Sequence, residues 1–168
     1  SKVSFSNRRF QHREVAARLL LIEQNMATQG KISDTKKVYL DALARNYKRG
    51  KNREVQNLKA EVIHTLENMN NLFAPGDELL RAQGNMALYY LLFKSAENSK
   101  KSLTRAKLLK FRDAVKQNRL QAEKEYEAAD FDMLEYDRLS QQGTNDASNL
   151  RERLRIAGEF LKIQPITI

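Results

Sequence analysis

The sequence contains no cysteine, no tryptophan, only two prolines and only six glycines. Without cysteine the chain can form neither a disulfide framework nor a thiolate metal site, and it has no cysteine nucleophile. This suits a reducing compartment, so we expect a cytoplasmic protein. Few turn residues and few β-branched runs disfavour a sandwich or a barrel, which leaves helix as the main secondary structure.

Long hydrophobic runs are also missing. The longest uninterrupted apolar stretch is the eight residues 86–93, whereas a helix needs about 20 apolar residues to cross a bilayer. The first residues lack the apolar core and cleavage site of a signal peptide. We therefore expect no membrane span and no signal peptide.

Positive charge is what the chain has in excess. Its 168 residues include 30 Lys and Arg against 21 Asp and Glu, a formal net charge of +9. Such an excess attracts polyanions over long distances, which favours nucleic acid or an anionic lipid surface as the partner. The length is that of one domain able to bury its own core.

Apolar residues recur at helical spacing along almost the whole chain. They predict an all-α fold, a single compact bundle of about six to seven helices within one domain, 1–168. Ser33 is predicted to cap the second helix, with Asp34 as an acid in its first turn. Tyr126 is placed on the apolar face of the fifth helix. The predicted helices cover about 8–27, 33–50, 52–73, 78–93, 102–128, 130–142 and 147–161.

The first seven residues fit no helix. Val3 and Phe5 alternate with polar residues, which would suit an extended segment or a short strand if an upstream domain offered a partner. The segment 1–7 is therefore left open as a possible part of a missing upstream domain.

Residues with catalytic or metal-binding chemistry are few and poorly placed. His12 and His64 are the only histidines, and neither has a second ligand at metal-binding spacing. The carboxylates Asp130 and Asp132 lie near Glu123, Glu125 and Glu127, but they read as a solvated acidic face without calcium-loop spacing. We predict no catalytic residue, no metal and no cofactor.

The basic residues are better organised. Five cations of the fifth predicted helix project within an arc of about 60° and could follow a phosphate backbone; otherwise Glu123 and neighbouring helices neutralise them and they serve solubility. A second cluster surrounds Gly50. The predicted nucleic-acid-binding residues are Lys101, Arg105, Arg112, Lys116 and Arg119, with Lys48, Arg49, Lys51 and Arg53 in the second cluster.

Four segments together resemble a known family. Residues 10–21, 84–93, 136–146 (Tyr-Asp-Arg-Leu-Ser-Gln-Gln-Gly-Thr-Asn-Asp) and 150–154 (Leu-Arg-Glu-Arg-Leu) are similar to the helical half of GmrSD-type proteins. In that family an N-terminal ParB/sulfiredoxin-like domain precedes the helical region, and the members are prokaryotic restriction and anti-phage proteins. The resemblance implies a helical, C-terminal portion of such a protein.

The family's catalytic signatures are absent. The chain has no Asp-Gly-Gln-Gln-Arg type motif of the nucleotide-hydrolysing domain and no His-and-Asn nuclease motif, so the resemblance carries over no catalytic residue. The loop from Gln141 to Asp146 would then be a structural joint or a partner contact. Residues 1–7 would be the frayed end of a sheet left behind.

Three function classes follow from these observations. The first is a non-catalytic helical domain of a DNA-directed defence or restriction protein that contacts nucleic-acid backbone. It would support an NTPase or nuclease unit in an upstream domain or partner subunit. The second is a structural or assembly protein, such as a virion or scaffold component, that self-associates through its helices. The third is an enzyme with an unrecognised site at His12 or at Asp130 and Asp132.

Overall fold

The computed structural model describes residues 1–48 and 52–166. Within those ranges the protein has seven α-helices and no strand, which confirms the predicted all-α bundle of six to seven helices. No described helix combines the length and the apolar character that a membrane crossing requires. The helices are α1 (Gln11–Gln29), α2 (Lys37–Lys48), α3 (Asn52–Asn70), α4 (Asn85–Asn98), α5 (Arg105–Ala122), α6 (Phe131–Gln141) and α7 (Ala147–Leu161).

Helix α4 lies at the centre of the bundle. Its sequence is apolar on every side, and Leu88, Tyr90, Leu91 and Leu92 are fully buried. It packs against α1 and α3 on one side and against α7 on the other, while α7 also packs against α5 and α6. A helix that is hydrophobic all round must be covered by neighbours, and here α4 and α7 together join the first three helices to α5 and α6.

The second helix begins later than predicted, at Lys37. Asp34 does not cap it: its Oδ1 atom accepts a 2.7 Å hydrogen bond from the backbone N–H of Ala147, in the first turn of α7. The backbone N–H of Thr35 donates to the carbonyl of Asn145 at 2.9 Å. The predicted start, with Ser33 as the cap and Asp34 in the first turn, was wrong. The Asp34 carboxylate instead accepts a hydrogen bond at the start of α7, which only the tertiary fold brings close to it.

The fourth helix also starts later than predicted. Residues Glu78–Leu80 form a 3-10 turn, and α4 begins at Asn85 and continues beyond the predicted end to Asn98. Ser95 and Ser99 donate their hydroxyl protons to the carbonyls of Leu91 and Ser95, at 2.7 Å and 2.6 Å. These hydrogen bonds satisfy the two serine side chains within the helix, so the helix continues about one turn beyond its predicted end.

The fifth helix ends at Ala122, and residues Tyr126–Ala128 form a separate 3-10 turn. The amide of Asn118 donates to the carbonyl of Asp130 and accepts from its backbone N–H, both at 2.8 Å. This clamp reverses the chain and carries Tyr126 away from the core. Tyr126 is 62% exposed, so its assignment to the buried face was wrong.

The opening segment lies against the bundle in an extended conformation. The backbone N–H groups of Gly76 and Asp77 donate to the carbonyls of Ser1 and Lys2, at 3.1 Å and 2.9 Å. Val3 and Phe5 are partly buried against the core. Residues 1–7 are therefore packed against the bundle rather than frayed, and they do not form a β-strand.

Candidate anion-binding surfaces around helix α5

Three of the five cations in the predicted α5 stripe are paired with carboxylates. The Nε atom of Arg105 lies 2.7 Å from Oδ2 of Asp77. Arg112 lies 2.7 Å from Glu78 and 2.8 Å from Asp113, and Arg119 lies 3.4 Å from Asp137. The neutralising acids are thus on the turn before α4, on α5 itself and on α6, and Glu123 is not among these partners.

Arg105 is an anchor of the fold. Its partner Asp77 has a fully buried side chain that also accepts hydrogen bonds from the backbone N–H groups of Ala74 and Leu79, at 2.8 Å and 3.0 Å. Burial raises the pKa of Asp77, but the hydrogen bonds from Arg105 and the two N–H groups outweigh it and lower the pKa to about 2. Phosphate could recruit Arg105 only by breaking this arrangement.

The remaining two residues of the predicted stripe, Lys101 and Lys116, are exposed, and neither forms an ion pair with a residue in 1–48 or 52–166. Lys101 was wrongly placed on the helix, because Thr104 caps α5 and the helix begins only at Arg105. Lys101 lies at one end of a second group of lysines. Together they surround a concavity of about 530 Å³ whose remaining lining is Phe160 and Leu161. We call this the lysine pocket, and its cations are Lys101, Lys107, Lys110 and Lys162.

The lysine pocket contains no carboxylate among its described lining residues. Lys107 donates to the carbonyl of Ser102 at 2.5 Å, which leaves its charge uncompensated. At about 100° per residue, Lys107 and Lys110 lie on the side of α5 opposite the arginine stripe. Sequence reasoning missed the pocket because Lys162 joins them only through the packing of α7 on α5.

The second predicted cluster is not part of this pocket. Lys48, at the end of α2, and Arg53, in the first turn of α3, are exposed. Neither lines the lysine pocket. Arg49 and Lys51 lie outside the described residues. The predicted extension of the α5 surface by this cluster stays a prediction.

A second concavity, of about 280 Å³, opens on the other side of α5 between α5, α6 and the start of α4. We call it the α5 cleft. Asn85 and Tyr89 of α4 contribute to its lining. Helix α5 contributes Arg112, Lys116 and Arg119, and α6 contributes Tyr136, Asp137 and Ser140.

Behind the α5 cleft lies a fully buried arginine, Arg153 of α7. Its Nη2 atom donates to Oδ1 of Asn85 at 2.8 Å, and its guanidinium carbon lies 5.6 Å from the ring centre of Tyr136. No carboxylate in the described part of the chain pairs with it, and its Nε–H has no hydrogen-bond partner there. A buried cation without a counter-charge is costly, and it favours an anion nearby.

Three of the four segments that carry the family resemblance, 84–93, 136–146 and 150–154, meet in this region. Arg153 also approaches the carbonyl of Gly84, at 3.5 Å. A Cβ atom at Gly84 would lie 2.7 Å from Oγ1 of Thr144, so glycine permits the close approach of the 141–146 loop. Asp146 pairs with Lys36 at 2.7 Å. The loop is therefore a joint between the α1–α2 connection, the start of α4 and α7.

The two histidines, Asp130 and Asp132 each contact neighbouring side chains or backbone groups of the fold. His64 is exposed beside Asn68, and His12 packs edge-on against Phe5, with ring centres 5.3 Å apart. Asp130 caps α6, and Asp132 pairs with Arg155 at 2.9 Å. The described residues contain no group of three or more His, Asp or Glu side chains placed to hold a metal ion.

Comparisons of the chain with family models, curated proteins and solved structures find no significant match. The class of protein that the fold defines is an all-α helical bundle with two cationic concavities on opposite sides of one helix.

Proposed function

We propose that this chain is a non-enzymatic helical domain that contacts the backbone of nucleic acid, DNA in the first instance. It would act in a restriction or anti-phage defence protein beside an NTPase or nuclease unit in an upstream domain or partner subunit. The observation that carries the contact is the lysine pocket, with four lysines and no carboxylate in its described lining. The resemblance to GmrSD-type proteins supports the defence setting.

Free lysines are better placed for phosphate than the paired arginines of the stripe. A phosphate at Arg105 or Arg112 must displace a carboxylate, whereas one at Lys107 or Lys110 displaces only water and counterions. Counterion release is the main source of non-specific affinity for nucleic acid. The proposed contact surface is therefore the lysine pocket, on the side of α5 opposite the predicted arginines. Lys101 is the residue shared by the predicted group and the pocket.

The pocket favours contacts to the backbone over base recognition. Its one aromatic side chain, Phe160, is partly buried and packs on Phe111, with ring centres 5.2 Å apart. Stacking on bases requires an exposed aromatic face. Phosphate contacts hold a nucleic acid without reading its sequence.

The test is a fluorescence-anisotropy titration of duplex DNA at several salt concentrations. Four lysine–phosphate contacts predict a slope of log K against log salt of about −3 to −4. Lys107→Gln with Lys110→Gln should make that slope shallower by about two. The control is Lys31→Gln with Lys59→Gln, which removes the same charge from exposed lysines outside the pocket. Equal weakening by both double variants would exclude the lysine pocket as the contact.

One observation favours the assembly alternative. Tyr126 and Phe131 are 62% and 61% exposed and stack edge to face with ring centres 5.6 Å apart, and Leu120 nearby in sequence is also exposed. Exposed aromatic clusters are typical of contact surfaces. Light scattering decides between the two: a stable oligomer that Phe131→Ser dissociates, and that ignores polyanions, would favour self-association.

A further inference from the structure

We propose that the α5 cleft is a binding site for one nucleotide, a nucleoside 5′-monophosphate or the phosphorylated end of a strand. Its α5 wall would hold the phosphate, and the side chains of α4 and α6 would hold the ring. The inference does not rest on the proposed backbone contact, because the cleft and the lysine pocket share no lining residue.

The phosphate end is defined by three cations on successive turns of α5. Arg112, Lys116 and Arg119 all line the cleft. Arg112 pairs with Glu78 and Arg119 pairs with Asp137. Lys116 forms no ion pair with any residue of the described part. Lys116 is thus an available ammonium between two guanidinium groups, and hydrogen bonds from such cations to phosphate are among the strongest a protein makes.

The ring end is defined by aromatic and polar side chains. Tyr136 and Phe111 form an apolar wall of the cleft and pack edge to face, with ring centres 4.7 Å apart. They are only 8% and 3% exposed, so they offer a ring contact area rather than a stacking face. Tyr89 is only 6% exposed, and its hydroxyl makes no hydrogen bond with a residue in the described ranges. The hydroxyl opens onto the cleft, where a ligand could form a hydrogen bond with it. Asn85 and Ser140 also line the cleft. Oδ1 of Asn85 already accepts from Arg153 and the Ser140 hydroxyl donates to the carbonyl of Tyr136, both at 2.8 Å, so they offer a base edge only their remaining hydrogen-bonding capacity.

The electrostatics of the surroundings favour an anion. The cleft lining carries three cations against the two carboxylates Glu78 and Asp137. Arg153, fully buried and without a carboxylate partner in the described chain, lies directly behind Asn85 and Tyr136. Its charge is weakly screened because the side chain is buried away from solvent. A phosphate in the cleft would compensate it in part.

The volume limits the ligand to one nucleotide. At about 280 Å³ the cleft is slightly smaller than the usual ligand pocket, which spans about 300 to 1,000 Å³. Inorganic phosphate offers the same charge without the ring. It would fill the cationic end alone and leave the hydroxyl of Tyr89 unpaired.

The experiment is calorimetric titration of the whole chain with AMP and CMP, with adenosine, and with inorganic phosphate. We expect both monophosphates to bind with at least about tenfold higher affinity than adenosine or inorganic phosphate, because only the monophosphates contact both ends of the cleft. Lys116→Gln should weaken AMP binding about tenfold. Tyr89→Phe should weaken it while leaving the thermal midpoint unchanged, since the lost hydroxyl has no partner in the described fold. Lys124→Gln, an exposed lysine just beyond α5, is the matched control and should bind as the parent does.

Three outcomes would overturn the inference. Equal affinity for AMP and inorganic phosphate would reduce the cleft to an anion site, and equal effects of Lys116→Gln and Lys124→Gln would exclude the cleft altogether. The double variant Lys107→Gln with Lys110→Gln separates this inference from the proposed backbone contact. Loss of AMP binding in that variant would assign the nucleotide to the lysine pocket and contradict the cleft, whereas loss of duplex DNA binding alone leaves the cleft supported.

Discussion

The guanidinium of Arg153 lies over the ring of Tyr136 at 5.6 Å and donates to Asn85, with no carboxylate partner in the described chain. Arg153 fills space in the core and donates to the amide oxygen of Asn85 and the carbonyl of Gly84. These neutral groups and the aromatic ring do not neutralise its charge.

Shortening Arg153 should therefore cost far more stability than removing its charge. We expect Arg153→Ala to lower the free energy of unfolding by about 3 kcal/mol or more, because it leaves a cavity in addition to the unpaired Asn85 that both substitutions leave. Arg153→Met fills most of the volume and removes the buried charge, so it should cost less than about 2 kcal/mol. Urea denaturation measures both, and equal losses would contradict this account.

Asp77 should make the protein acid-labile through its bond to Arg105. Its folded-state pKa of about 2 lies below the ordinary value of 3.8, so the stabilisation is present above pH 4 and is lost as the pH falls towards 2. The difference corresponds to about 2 kcal/mol.

Urea denaturation between pH 2 and pH 7 tests this dependence. Asp77→Asn should lower stability at pH 7 and flatten the profile below about pH 4, since no carboxylate remains there to be protonated. Asp113→Asn, at an exposed carboxylate of α5, is the control and should keep the acid-side slope.

Gly143 should tolerate alanine less well than Gly30. Both have positive φ, +63° and +64°, which costs a residue with a side chain about 1 kcal/mol. At Gly143 the added Cβ would also lie 2.4 Å from Nδ2 of Asn149, which donates to the carbonyl of Gln142, whereas the space at Gly30 is open.

We therefore expect Gly143→Ala to lower the free energy of unfolding by about 1 kcal/mol more than Gly30→Ala, through the lost hydrogen bond. Thermal or urea denaturation of the two variants in parallel provides the measurement. A smaller loss at Gly143 would show that the 141–146 loop adjusts freely and is not a joint.

Asp34 should stabilise α7 across the fold. Asp34→Ala removes the acceptor for the backbone N–H of Ala147 and should cost about 1 kcal/mol, the usual loss for a helix cap. Ser33→Ala is the neighbouring control, and we expect a change within about 0.5 kcal/mol because Ser33 makes no side-chain hydrogen bond in the described structure. Amide exchange in the first turn of α7 should accelerate only in Asp34→Ala.

The helices were predictable from local patterns, and the errors fell at their ends. Helix α7 runs from Ala147 to Leu161 as the periodicity predicts. Residues 86–93 are apolar on every side of the helix, which correctly indicated that α4 is central. Asp34 and Tyr126 were misassigned because a cap and a chain reversal depend on groups elsewhere, on Ala147 in one case and on Asn118 with Asp130 in the other.

The candidate sites were only partly predictable. Angular position on α5 correctly grouped Arg105, Arg112 and Arg119 on one face, but it could not reveal that Asp77, Glu78 and Asp137 face them. The partners are distant in the chain, so local spacing carries no information about them.

The class of fold, the positive charge and the lack of thiol chemistry follow from the order and composition of the residues, since periodicity is local and composition is additive. The tertiary structure alone decided which cations are free, which carboxylates neutralise the rest, and that Arg153 lies behind a cleft. Those properties depend on contacts between residues far apart in the chain, and packing brings them within the few ångströms over which hydrogen bonds and ion pairs act.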